Sequence, residues 1–199
     1  MKITSIKQQV KRVDRYSIFV EGKYEFSLSE NALLESKLAS GQEITKAELG
    51  DYKKLSSEDK LYMQTLRYVA MRPRSRWEIQ FYLERKKLAS PALTEIILNK
   101  LTKIGLIDDA KLARAMVNDR RLLRPTSRRK MIADLKKKRI SDELIEQAVG
   151  NEKEYEIAAL QSTISNKRRQ TKYQDDVKLM QYLARQGYSY EDIKSALGR

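Results

Sequence analysis

One spacing of apolar residues runs through this chain three times, and it leaves few folds open. In residues 125–149, PTSRRKMIADLKKKRISDELIEQAV, take Leu135 as an anchor. Ile140, Ile145, Ala148 and Val149 follow it at offsets of five, ten, thirteen and fourteen. Upstream, Leu83 is followed at the same offsets by Leu88, Leu93, Ile96 and Ile97. Downstream, Leu183 is followed by Tyr188, Ile193, Ala196 and Leu197. Four residues before the anchors stand Ile79, Met131 and Leu179, and ten before the first two stand Pro73 and Pro125, each opening Pro-x-Ser-Arg. A period of about fifty residues means repeated supersecondary units, which bury their apolar faces against neighbours and present an extended surface rather than one deep pocket.

Around each anchor the local signals are helical. From Ser57 onward the chain reads as helix after helix. A first long helix over about 58–71 turns Leu61, Thr65, Leu66, Tyr68 and Val69 inward and ends at Pro73, because the residue before proline avoids the helical region. Ser75, with Glu78 three residues on, caps the next helix, and Ser90-Pro91 opens another. Gly105 ends it, and Asp108 caps a helix carrying Leu112, Ala113, Met116 and Val117. Helices over about 127–138 and 142–149 follow, closed by Gly150. A third unit begins near Asn151, continues through a helix ending at Gly187 and finishes over 189–197. Each unit is therefore a long helix, a helix bearing the anchor leucine and a short helix.

The first fifty-odd residues differ. Ile18 and Val20 alternate with polar or opposite-face residues, as do Tyr24, Phe26 and Leu28, which is the two-residue period of strands. Gly22 supplies the turn between them. A lone hairpin is marginal in water, so a third strand from residues 3–11, or docking on helices, is expected. Two short helices are expected next, one carrying Ala32, Leu33, Leu34 and Leu38 and stopping at Gly41, the other starting at Thr45 with Glu48 in a capping box. The expected fold is mainly α, with three tandem, helix-turn-helix-like three-helix repeats in an elongated arrangement behind a small β-hairpin/α segment. Its expected divisions are 1–55, 56–105, 106–150 and 151–199.

Charge is placed as unevenly as the apolar residues are regular. The net charge of +14 lies wholly in residues 53–199, since residues 1–52 hold eight basic and eight acidic side chains. Between Arg120 and Arg139, ten of twenty residues are Lys or Arg against only Asp134. On a helical period Arg129, Lys130, Lys136 and Lys137 share the side opposite Met131, Ile132 and Leu135. Arg120, Arg121 and Arg124 precede them, Arg85, Lys86 and Lys87 hold a similar place in the first unit, and Lys167, Arg168 and Arg169 open the third. A charge run is commonly only a solvated face, but its recurrence at equivalent points suits a polyanion, whose neutralised phosphates release counterions. Trp77, Phe81 and Tyr82 lie beside core positions, so packing is preferred over base stacking as their role.

Chemistry has little to draw on. There is no histidine, the commonest general base and metal ligand, and no cysteine. Asp108-Asp109 and Asp175-Asp176 are adjacent pairs, but neighbours on a helix point about 100° apart, and helix capping explains them better than metal binding. No phosphate-binding glycine loop occurs. Neither catalysis, cofactor nor metal is expected. No apolar run approaches the roughly 20 residues of a membrane span and no signal-peptide pattern opens the chain, so a cytoplasmic monomer that meets no membrane is expected.

The segments RPRSRWEIQFYLERK, LTKIGLIDDAKLARAMVNDR and DLKKKRISDELIEQAV also carry a resemblance. Together with the Gly-Leu-Ile-Asp-Asp run at 105–109, Arg74-Ser75 and the thrice-repeated helix pair, they resemble the RecX family of recombination regulators. The likeness covers roughly 60–199, and the N-terminal strands are similar to an extension that some members carry. It implies three tandem three-helix repeats and a non-enzymatic protein of DNA repair and recombination. Such a protein binds the RecA filament and suppresses its strand exchange, ATPase and coprotease activities, and some members also bind DNA. A sequence-independent DNA-binding protein is the alternative. The family often has Lys-Gly at the corner before each short helix. Here Lys87 and Arg139 replace the glycine and only Gly187 keeps it, so those two corners must adopt left-handed geometry at some cost or turn differently.

Overall fold

A computed structural model describes residues 1–198. Strands β1 (Ile3–Gln9), β2 (Arg12–Val20) and β3 (Lys23–Ser29) form one antiparallel sheet in the order β1-β2-β3. The third strand expected beside the hairpin is thus β1, paired to β2 along its length. One sheet face carries Ile3, Ile18, Val20, Phe26 and Leu28, all buried with Leu38, Ile44 and Leu49 from the following segment.

Ten α-helices follow among the described residues: α1 (Glu30–Ser36), α2 (Lys46–Ala70), α3 (Arg76–Glu84), α4 (Pro91–Lys103), α5 (Asp109–Leu123), α6 (Arg128–Lys136), α7 (Asp142–Val149), α8 (Lys153–Arg168), α9 (Asp176–Arg185) and α10 (Tyr190–Ala196). From α2 onward they group as three tandem sets of three. Helix α1 stops at Lys37, in left-handed geometry, rather than at Gly41. The Thr45–Glu48 capping box is present, but it opens one continuous helix through Ala70 and not a short helix followed by another. Gly50 costs a helix interior about 1 kcal/mol, yet tertiary anchors outweigh it. Ser56 Oγ donates to the Ser27 carbonyl at 2.7 Å, and Asp59 accepts from the Ser29 N–H at 2.9 Å and pairs with buried Arg15 at 2.9 Å.

Capping proceeds as expected at Ser75, Ser90, Asp108 and Asp175, and Ser127, Ser141 and Ser189 cap their helices in the same way. The three anchors Leu83, Leu135 and Leu183 are all buried, as are Ile79, Met131 and Leu179. Two clusters show the shared plan. Ala113, Val117, Met131, Leu135, Ile140, Ile145 and Val149 make one, and Ala159, Leu160, Leu179, Leu183, Tyr188 and Ile193 make the next. The first repeat departs from the pattern at its corner, where Leu88 is 61% exposed while Ile140 and Tyr188 are buried. Lys87 there is not left-handed, the chain turning instead through Lys86 N–H to the Leu83 carbonyl and Ala89 N–H to the Lys86 carbonyl. Arg139 takes the other course, with φ +56°, and Gly187 has φ +94°.

By contacts the chain divides into two compact units, Met1–Pro73 with Ile79–Leu106, and Arg74–Glu78 with 107–198. The first holds the sheet and the body of the first repeat. The second holds the other two repeats and the first turn of α3.

Candidate functional site

The Pro-x-Ser-Arg segments sit at joints within the second unit. Ser127 caps α6 through its oxygen and donates its hydroxyl hydrogen to the Gln186 carbonyl at the α9–α10 corner. The neighbouring Arg128 N–H donates to Glu156 Oε2 at 2.7 Å, and the Arg128 guanidinium reaches the Gly150 carbonyl at 2.7 Å and Glu146 at 2.6 Å. Ser75 repeats the arrangement one repeat earlier. It caps α3 and donates to the Lys138 carbonyl at 2.8 Å, while the Arg76 N–H donates to Asp109 Oδ1 at 2.8 Å. In both joints a helix N-terminus, with its unpaired N–H groups and positive dipole end, receives a carboxylate from the first turn of the next long helix. Burial pushes the Asp109 and Glu156 carboxyls above the usual range, against the lowering effect of those N–H donors.

Gly187 shows how tight the second joint is. A Cβ there would lie 2.8 Å from Ser127 Oγ and 3.2 Å from Arg129 Cβ. At the first joint Arg139 stands in its place, with the guanidinium 5.9 Å from the Trp77 ring centroid and Lys138 paired to Glu78 at 2.8 Å. The joints were detectable as the recurrence of Pro-x-Ser-Arg before the first two anchors, and its lack before Leu183. What the serines reach lies 59 and 63 residues away.

The basic candidates separate by partner. Lys136 pairs with Asp142 at 3.0 Å, and Asp134 receives Arg120 at 3.2 Å and Lys137 at 3.7 Å. Arg121 donates to the Val149 carbonyl at 2.9 Å, lies over Tyr155 and pairs with Glu152 at 3.4 Å. Arg168 is tied to Asp176 and to the Gln174 carbonyl, and Lys167 lies over Tyr173 and Tyr182. Such tied cations are partly neutralised before any partner arrives. Arg85 and Lys86 lie over Phe81 and Tyr82. Among the described residues Lys87, Arg124, Arg129, Lys130 and Arg169 hold no ion pair, and all but the half-buried Lys130 are exposed. Their charge is available to a phosphate or carboxylate from outside. Of the aromatic residues, Tyr82 packs on Tyr68, while Phe81 and Trp77 keep 47% and 38% of their surface exposed.

A three-helix unit repeated in tandem, with exposed unpaired cations and serine-capped corners, defines a protein of the helical-repeat class. The comparisons narrow the class. Residues 1–45 match the family profile described as "Regulatory protein RecX N-terminal domain", and residues 108–149 that of "RecX, second three-helix domain". Similar proteins named "Regulatory protein RecX" occur in Bacillus pumilus, 29% identical over 98% of this chain and 76% of the relative, and in Listeria welshimeri serovar 6b, 31% identical over 98% and 74%. A third, from Lactobacillus delbrueckii subsp. bulgaricus, is 31% identical over 94% of this chain and 70% of its own length. The chain belongs to the RecX family of regulatory proteins. Its fold is that of a solved structure described as "Crystal structure of regulatory protein RecX", with TM-score 0.78 and 24% identity over 100% of this chain and 99% of that one. The structure of RecX from Lactobacillus salivarius aligns with TM-score 0.60 and 21% identity, over 71% of this chain and 94% of that one. No helix among the described residues is long and apolar enough to cross a membrane.

Proposed function

We propose that this protein binds the RecA filament and inhibits its strand exchange, ATPase and coprotease activities, as a regulator of recombination, DNA repair and the SOS response. Family membership over nearly the whole chain carries this reading, because it covers all three repeats together and not one isolated module. Repeated units give a surface with a period of its own, which suits a partner that is itself a repeating polymer. The exposed cations Arg124 and Arg129, with Lys130 beside them, supply complementary charge for acidic protein surface or for the DNA that such a filament holds. Sequence-independent DNA binding is the second reading, favoured by the same unpaired cations. Adding the pure protein to a RecA ATPase and strand-exchange assay tests the first. Both activities should fall with increasing protein, and activity untouched by an excess would overturn it.

A further inference from the structure

We infer that the groove between α2 and the C-terminal end of α3 is a stacking site for an unpaired nucleobase of single-stranded nucleic acid, with Lys86 and Arg85 taking the flanking phosphate. Tyr68 and Tyr82 stack with ring centroids 4.0 Å apart and planes 9° from parallel. Lys86 Nζ lies 4.7 Å from the Tyr82 ring centroid, and the Arg85 guanidinium 5.8 Å from that of Phe81. These five side chains line an open groove of about 340 Å³, with no carboxylate in its wall. Phe81 keeps nearly half of its surface exposed beside the stacked pair, so a ring face is open to a ligand. Aromatic faces beside cations match a planar π-system attached to an anion. A nucleobase on a phosphate backbone has that form, and a single strand exposes it where a duplex hides it in its stack.

The internal repeats provide a comparison. Arg120 and Asp134 occupy in the second repeat the places of Tyr68 and Tyr82. There the two form an ion pair at 3.2 Å, and the space beside them shrinks to about 10 Å³. That is room for at most about one water. In the third repeat the place of Tyr82 is again aromatic. Tyr182 lies 5.1 Å from Tyr173, with Lys167 Nζ 4.8 Å from Tyr182 and 5.3 Å from Tyr173. Thus the same fold position carries either a closed salt bridge or an aromatic surface under lysine, so the fold does not require the aromatic version. In the absence of a strand, Lys86 covers the ring. A cation–π contact at the surface is weak, so a base can displace the ammonium toward its own phosphate.

The site is tested without RecA, by fluorescence anisotropy with a short oligothymidylate and an abasic phosphodiester of equal length. The wild-type protein should prefer the strand with bases by on the order of 10-fold. Phe81→Ala and Tyr82→Leu should bring that preference close to unity, while Phe81→Trp keeps it. Lys86→Gln should weaken both probes alike and flatten the salt slope by about one. Should Tyr82→Leu fail to fold by circular dichroism, Phe81→Ala, at an exposed ring, decides. Equal wild-type affinity for both probes, or full preference in the folded variants, would overturn the site. So would competition by thymidine monophosphate at the oligonucleotide's saturating concentration, which would mean a free nucleotide is the ligand. Failure here with RecA inhibition intact removes this site alone, and base preference with an untouched RecA ATPase removes the filament reading alone.

Discussion

Asp109 does the work of a cap for a helix to which it does not belong. Its carboxylate accepts the Arg76 N–H at the start of α3, and burial holds its pKa above the ordinary carboxylate value. The folded state therefore binds this proton more tightly than the unfolded chain does. The stabilising contribution is full below the unfolded pKa and is lost as pH rises through the raised folded one. Asp109→Asn keeps an acceptor oxygen for Arg76 and removes the buried ionisation. Thermal melts should show it as stable as wild type or more so at neutral pH, with a flatter pH dependence in the carboxylate range. Asp109→Ala leaves the N–H without its acceptor and should cost about 1 kcal/mol. A variant pair with identical melts at every pH would refute this role. Asp108 was legible because a helix start needs its own local acceptor. Asp109 was not, since nothing in adjacent residues shows that the second carboxylate serves an N-terminus 33 positions away. The same limit separates Arg139 from Gly187, where both corners are left-handed but only one is crowded by a serine from another repeat.

At the level of elements, α2 shows where local rules yield to packing. Its capping box and its apolar faces were readable, yet the expected division into a short helix from Thr45 and a longer one over about 58–71 does not occur. The helix runs unbroken because a buried polar cluster fixes it to β2 and β3. Arg15 donates to Ser27 Oγ at 2.9 Å and to the Ser27 carbonyl at 2.7 Å, and pairs with Asp59, which also takes the Ser29 N–H and hydroxyl. Both charged side chains are 5% exposed. Strand alternation gives the faces of β2, and it gives no sign that Arg15 meets a carboxylate 44 residues on. Asp59→Ala strands the guanidinium in a dry site, and denaturant unfolding should show a loss of about 3–5 kcal/mol. The double variant Arg15→Met, Asp59→Leu should lose less than Asp59→Ala alone, because no unpaired charge then remains buried. A double variant as damaged as the sum of its singles would mean that the pair is not coupled.

For the whole molecule, the period of the anchor leucines was enough to give three helical repeats, since it follows from burial on a 3.6-residue helix. It could not give the grouping of parts, which depends on the joints. The second and third repeats form one compact unit, where Ser127, Arg128 and Tyr155 bind across the repeat boundary. Cutting the chain after Gly150 removes Gln186, Glu156 and Tyr155 together, so α6 loses its second acceptor set while keeping its own core of Leu135, Ile140 and Ile145. The fragment should remain helical by circular dichroism, because each unit retains its cluster, but melt below the full chain. If the repeats engage a RecA filament side by side, the third acts at the effective concentration set by its tether. Its loss should then weaken inhibition of the RecA ATPase by on the order of 100-fold. Titration of fragment and full chain into the same ATPase assay, beside melts of both, separates the two effects. A folded fragment that inhibits as strongly as the full chain would exclude the third repeat from the contact, and a fragment without helical signal would show that the joint, not the repeat, is the unit of folding.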